Sequence, residues 1–203
     1  MEEGYLENIV IRLEEPKDYR IVEELTRAAF DVPPFIRPGR EFPMEHHMVH
    51  KLREKDGIKE LSFVAELDRK IVGHIIYSNA HVLCPDNSKI DVLTFGPISV
   101  LPALQKTGIG SALMKYSIAQ AKKHGYGAIF FHGHADYYPR FGFVKANVFL
   151  GGEANPYCMA MELKEGYMKG IKGEFVEPDI YNDDLNREQA KEFDKQFHAT
   201  YSR

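Results

Sequence analysis

Between Gly96 and Phe143 a strand, a glycine turn, a helix and a second strand follow one another, and no other stretch of the 203 residues constrains the fold as tightly. The first strand leads into Gln105-Lys106-Thr107-Gly108-Ile109-Gly110. From Ile109 the apolar residues fall at Ala112, Leu113, Tyr116 and Ala119, the spacing of one helix face. Lys122, Lys123 and His124 suit a helix C-terminus, and Gly125 a left-handed stop. Ala128-Ile129-Phe130-Phe131 then reads as a short buried strand. Strand, crossover helix and strand imply two parallel neighbours joined in the right-handed sense.

A glycine turn between a strand and a helix gathers free backbone N–H groups at the positive end of the helix dipole, which is a seat for a pyrophosphate. Two familiar phosphate loops fail on the residues themselves. A P-loop needs lysine after its second glycine, and Gly110 is followed by Ser111. A dinucleotide fingerprint needs a third glycine where Leu113 stands. What remains is Gln-x-x-Gly-x-Gly. Upstream, Gly96-Pro97 interrupts the first strand, and proline cannot donate to a central ladder. The strand is therefore expected to bulge or to part from a neighbour there, leaving backbone groups for an extended ligand.

Gln105 to Gly110, with Pro97-Ile98-Ser99-Val100 and Pro102 before it, resembles the acetyl-CoA signature of the GCN5-related N-acetyltransferase (GNAT) superfamily. Gly133-His134-Ala135-Asp136-Tyr137-Tyr138-Pro139-Arg140-Phe141-Gly142-Phe143 resembles that superfamily's second motif, in which a tyrosine opens a short helix and Gly-Phe closes it. The combination is most similar to the uncharacterised bacterial YhbS-like branch. The resemblance spans about Ile9 to Leu163. It implies an α/β fold with a mixed, mostly antiparallel twisted sheet, a splayed parallel strand pair and flanking helices. It also implies an acetyl-CoA-dependent transfer of an acetyl group to a primary amine, small molecule or peptide, by direct attack in a ternary complex. Ile98, Ser99 and Val100 would offer backbone groups to the pantetheine arm. Gln105, Lys106, Thr107, Gly108, Ile109, Gly110 and Ser111 would surround the pyrophosphate, and Tyr138 would lie near the sulfur.

The chemistry sets further requirements. An alkyl ammonium has a pKa of ~10 and must lose a proton before it attacks. The oxyanion needs a donor, for which a backbone N–H at Val100 or its neighbour is suited. The departing thiolate needs another, and Tyr138 is the expected general acid. No base follows from the resemblance. Glu66, on the alternating strand Phe63-Val64-Ala65-Glu66, is the candidate base, with Asp91 and Thr94 as further strand candidates. His132 and His134 flank Gly133 and alternate in direction, and His134 is the additional catalytic candidate because it precedes the tyrosine motif. Each of these equally reads as an ordinary strand residue. A silent CoA-binding module is the alternative function. A zinc hydrolase is a third, since His46 and His50 are four apart and His47 stands beside them. Yet no His-Glu-x-x-His occurs and the two cysteines stand alone, so no metal is expected.

Composition is compatible with an enzyme. The chain is 44% hydrophobic, enough for one sizeable core, and its net charge of −4 argues against nucleic acid as partner. Cys84 and Cys158 cannot build a disulfide framework, and neither a long apolar run nor a signal-like start is present. A cytoplasmic monomer or homodimer with no membrane association is the expectation.

The rest of the chain reads coarsely. Asn8–Leu13 is an opening strand, a helix starts near Pro16, and prolines between Asp31 and Pro43 forbid regular structure. By the resemblance, Phe30, Phe35, Arg37, Arg40, His46 and His47 line one wall of the acceptor cleft. A second helix covers Glu45–Lys55, a hairpin turns at Asp68-Arg69, and Tyr157–Leu163 is a late strand. Residues 1–163 are expected to form the acetyltransferase domain. Residues 164–203 are expected to be an extension packed on it, with an amphipathic helix from Leu185 to Tyr201 carrying Phe193 and Phe197 on one face.

Overall fold

The structure, a computed structural model, describes residues 8–33, 35–36, 38–133, 136–150, 153–154 and 157–197. The chain gathers into two compact units. One comprises Met1–Ile76, Gly96–Ser117 and Asp179–Arg203, the other Tyr77–Phe95 and Ile118–Pro178.

In the first unit, β1 (Ile9–Leu13) runs antiparallel to β2 (Gly57–Leu67), with Ile9 opposite Leu67 and Leu13 opposite Phe63. A two-residue turn then leads into β3 (Lys70–Leu83). Both turn residues, Asp68 and Arg69, have positive φ (51° and 62°), the twist that closes a tight hairpin. Helices α1 (Tyr19–Phe30) and α2 (Glu45–Glu54) bury Val22, Leu25, Val49 and Leu52 against Val64, Ile71 and Ile76 of these strands. The first strand of the glycine-turn unit, β4 (Lys89–Val100), ends in this unit, and α3 (Ile109–Lys123) begins in it. Gly73 admits α3, because a Cβ there would stand 2.9 Å from Leu113 and 3.3 Å from Ile109.

In the second unit the hydrogen-bonded order is β6-β9-β5-β4-β3-β10-β7-β8. The added strands are β5 (Ala128–His132), β6 (Val144–Lys145), β7 (Phe149–Leu150), β8 (Glu153–Ala154), β9 (Cys158–Glu162) and β10 (Glu174–Val176). β5 pairs antiparallel with β9 over its whole length, and parallel with β4 at Leu93 opposite Ile129. The sheet is thus mixed and mostly antiparallel, as expected, with a second parallel contact where β10 meets β7. Val82, Val92, Phe130, Cys158 and Phe175 form the core of this unit.

Two differences from the sequence reading concern the extension. β10 lies in the extension, for which only a helix was expected. Its three residues turn only Phe175 fully inward, opposite Val82 of β3, too short a signal for period-two alternation. The terminal helix α4 spans Asp183–Asp194, starting two residues early because the Asn182 side chain accepts from the amides of Asp184 and Leu185. Tyr201 lies outside the described residues.

Candidate active site

The glycine turn lies wholly in the first unit. After a 3-10 turn at Pro102–Leu104 the chain reverses through Lys106 (φ 64°) and Gly108 (φ 94°), both left-handed, and enters α3 at Ile109. Gly108 takes this conformation without the Cβ penalty that Lys106 bears. The side chains brace the turn from within. Thr107 Oγ1 donates to the Leu104 carbonyl at 2.6 Å, and Gln105 Nε2 to the Val100 carbonyl at 3.3 Å. Ile109 and Leu113 are fully buried and anchor the helix, whose ladder opens with the Ala112 amide bonded to Gly108 at 2.9 Å. None of the six amides from Lys106 to Ser111 donates to another described residue. Unpaired donors at a helix N-terminus form a nest for an anion.

Immediately upstream, Ser99 is buried and its Oγ lies 3.0 Å from Thr26 Oγ1 of α1. Its side chain is therefore committed to packing, and only its backbone remains for a ligand. Ile98 and Val100 are half-buried. Gly96 has a φ of 147°, and its carbonyl accepts a hydrogen bond from the Tyr181 hydroxyl at 3.1 Å.

Tyr138 belongs to the second unit. It opens a 3-10 helix (Tyr138–Phe141) that Gly142 ends at φ 96°. Its ring meets Phe131 edge-on at 4.4 Å, with Phe95 and Phe143 at about 6 Å and Tyr137 at 5.0 Å. Gly133 makes room for it, since a Cβ there would stand 2.7 Å from the tyrosine ring. Burial, and secondarily Tyr137, pushes the Tyr138 phenol up to about 12. The hydroxyl donates to no other described residue. His134 lies outside the described residues.

The structure surrounds the other candidates as follows. Glu66 accepts from Arg12 Nε at 3.0 Å and from Nη2 at 2.5 Å, while the same guanidinium holds Asp18 at 2.6 Å. The Asp18 hydrogen bond and charge, then Glu66, raise the guanidinium pKa against its desolvation, so this is a stable ion-pair junction of β1, β2 and the start of α1. The Glu66 carboxylate is thus committed to Arg12. Arg12 is a partner that spacing along the chain gives no means of finding. Asp91 is exposed, with its carbonyl taken by the Tyr167 hydroxyl at 2.6 Å, and Thr94 is buried. His132 packs on Phe175 with Nδ1 3.4 Å from Glu177.

Along the 31–47 segment, Phe30 and Phe35 stack at 4.7 Å, and Arg40 bridges Glu45 (2.7 Å) and Asp183 (3.4 Å). Arg37 lies outside the described residues. His46 is fully buried between Phe193 and Phe197, 3.2 Å from Asp194. His50 instead faces Glu23 and Glu54 (3.0 and 3.3 Å). Burial first, then Lys51, brings His47 down to about 4. Among the described residues no three His, Cys, Asp or Glu side chains are grouped to hold a metal, and no helix is long and apolar enough to cross a membrane.

Comparison with known proteins matches residues 21–143 to the family described as "Acetyltransferase (GNAT) family". The uncharacterised N-acetyltransferase YjhQ of Escherichia coli (strain K12) is 33% identical over 128 residues, 63% of this chain and 70% of that one. A GNAT family acetyltransferase from Brucella melitensis, solved in complex with acetyl-CoA, superposes with a TM-score of 0.69 at 28% identity, covering 86% of this chain and 98% of the other. The YhbS acetyltransferase of Escherichia coli, solved with CoA, shares the fold with a TM-score of 0.73 at 22% identity, covering 86% and 92%.

Proposed function

The chain belongs to the GNAT family of acetyltransferases, and on that premise we propose that it moves an acetyl group from acetyl-CoA to a primary amine, of a small molecule or a peptide, by direct attack in a ternary complex. The observation that carries this reading is the run of unpaired amides from Lys106 to Ser111 at the head of α3. Unpaired donors at a helix N-terminus suit a pyrophosphate, and the Brucella relative was solved with acetyl-CoA.

Acetyl-CoA supplies an activated thioester when bound. The residues of this chain are assigned the following work. Gln105, Lys106, Thr107, Gly108, Ile109, Gly110 and Ser111 hold the pyrophosphate, chiefly through main-chain N–H, with the exposed Lys106 ammonium adding a point charge. Ile98, Ser99 and Val100 present the backbone edge of β4 to the pantetheine arm, and a Val100 or neighbouring N–H serves the oxyanion. Tyr138 donates its proton toward the departing sulfur. With its phenol at about 12 and an ordinary thiol near ~8.5, full transfer is uphill, so Tyr138 acts first as a hydrogen-bond donor that stays protonated at every working pH. Of the two base candidates, Glu66 would have to leave Arg12, which favours release of the ammonium proton toward solvent or His134.

Residues 1–163 carry this chemistry and 164–203 extend it. We place the reaction in the reducing cytoplasm, which suits two free cysteines, Cys84 and Cys158. The test is thiol release from acetyl-CoA across a panel of polyamines, amino acids, aminoglycosides and peptide N-termini. At least one amine is expected to raise the rate well above hydrolysis; a panel that leaves the rate at the hydrolytic background contradicts the transfer reading.

A further inference from the structure

The C-terminal extension reaches back to β4 beside the Ile98–Val100 edge. Tyr181, in the 3-10 turn Asp179–Tyr181, donates its hydroxyl to the Gly96 carbonyl at 3.1 Å across 85 positions of sequence. Its ring also lies over Gly96, where a Cβ would meet Tyr181 Cε1 at 3.6 Å. Gly96 is the joint through which β4 enters Ile98-Ser99-Val100. With φ at 147° it occupies backbone space that glycine visits freely and other residues rarely do, so nothing in its own covalent structure holds one setting. Pro97 follows without an N–H, and β4 pairs with β5 three residues upstream, at Leu93 opposite Ile129. The carbonyl at this joint is held by a side chain.

The tyrosine is itself firmly mounted. Ile180 and Tyr181 pack on the cluster of Val22, Leu25, Val49 and Leu52. Asn182 caps α4, which is pinned by Asp194 to Arg27 at 2.7 Å and by Phe193 against His46, and Phe197 beyond its end packs on the same ring. A phenylalanine would fill the same apolar site. The hydroxyl is therefore the part of Tyr181 that packing does not explain.

We propose that Tyr181 is a positioning residue for the acetyl-CoA site: through the Gly96 carbonyl it fixes the β4 edge at Ile98–Val100 in the conformation that receives the pantetheine arm. The extension is on this account part of the working site. The inference rests on the acetyl-CoA reading above, and the experiment separates the two.

Acetyl-CoA is titrated calorimetrically into the full chain as wild type, Tyr181→Phe and Tyr167→Phe. The last is a matched control, because Tyr167 donates to another β4 carbonyl, Asp91, at 2.6 Å. Loss of a positioning hydrogen bond is expected to weaken binding roughly five- to tenfold in Tyr181→Phe and less than twofold in Tyr167→Phe. Amide exchange across residues 96–101 without ligand is expected to quicken only in Tyr181→Phe, a readout that a lost packing contact elsewhere would not give. Wild-type affinity and wild-type exchange in Tyr181→Phe overturn the inference while leaving the cofactor reading intact. Equal weakening in both variants makes Tyr181 merely structural and also overturns it. No binding by the wild type removes the cofactor reading, and the inference with it.

Discussion

The turn at Gln105–Ser111 and the niche of Tyr138 handle polar groups in opposite ways. In the turn, the amides from Lys106 to Ser111 donate to no other described residue, and the side chains of Gln105 and Thr107 are spent on bracing the loop. In the niche a side-chain hydroxyl is set among Phe95, Phe131 and Phe143, and burial drives its pKa upward. The first arrangement is electrostatic and depends on backbone dihedrals. The second is steric and depends on ring packing. Binding and chemistry should therefore come apart under mutation, the turn governing affinity and the niche governing turnover.

The largest separation is expected from Tyr138→Phe. The hydroxyl donates to no other described residue, so its removal should leave acetyl-CoA affinity within about twofold of wild type while lowering kcat by ~100-fold, the scale for one lost transition-state hydrogen-bond donor. Steady-state kinetics beside calorimetric binding reads both. Equal losses in affinity and kcat would dissolve the distinction between the two regions. A smaller effect is expected from Gly133→Ala. Its new methyl presses on the rings of Phe131 and Tyr138, and overpacking of this kind costs about 1–3 kcal/mol of stability. Turnover should fall by ~10-fold as the hydroxyl is displaced, with affinity again preserved. The smallest effect concerns pH. A phenol raised in the folded state favours the neutral form, so its contribution to stability is complete below ~10 and is lost as pH rises from there toward about 12. The alkaline limb of the rate profile should owe nothing to Tyr138 below pH ~10. A fall near pH 8 that Tyr138→Phe abolishes would contradict the assigned environment.

The same contrast explains what was legible in the sequence. The turn could be read because its determinants are local: Gly108 and Gly110, the apolar spacing from Ile109 to Ala119, and the proline at position 97 all lie within 23 residues. Tyr138 was legible through its motif, although the rings that set its pKa include Phe95, 43 positions earlier. Glu66 illustrates the limit. Strand alternation offered it as a base, but Arg12, 54 positions away, occupies its carboxylate, and no local pattern encodes that pairing. The extension was least legible. Its strand is three residues long, and its contacts with Gly96, Arg27 and His46 are made across 85 to 167 positions. Its local signal was the amphipathic spacing from Leu185, while the asparagine cap that starts the helix two residues earlier went unread.

The most direct test of the central claim, that the unpaired amides at the head of α3 hold the pyrophosphate of acetyl-CoA, is the shift in melting temperature on adding acetyl-CoA to wild type and to Gly108→Glu. The substitution places a Cβ at φ 94° and a carboxylate beside the amide nest. At ~100 times its Kd the ligand should stabilise wild type by about 2.7 kcal/mol, a rise of roughly 5–10 °C for a chain of this length. The account predicts that rise in wild type and its absence in a Gly108→Glu protein with native far-UV dichroism. An equal rise in both would contradict it.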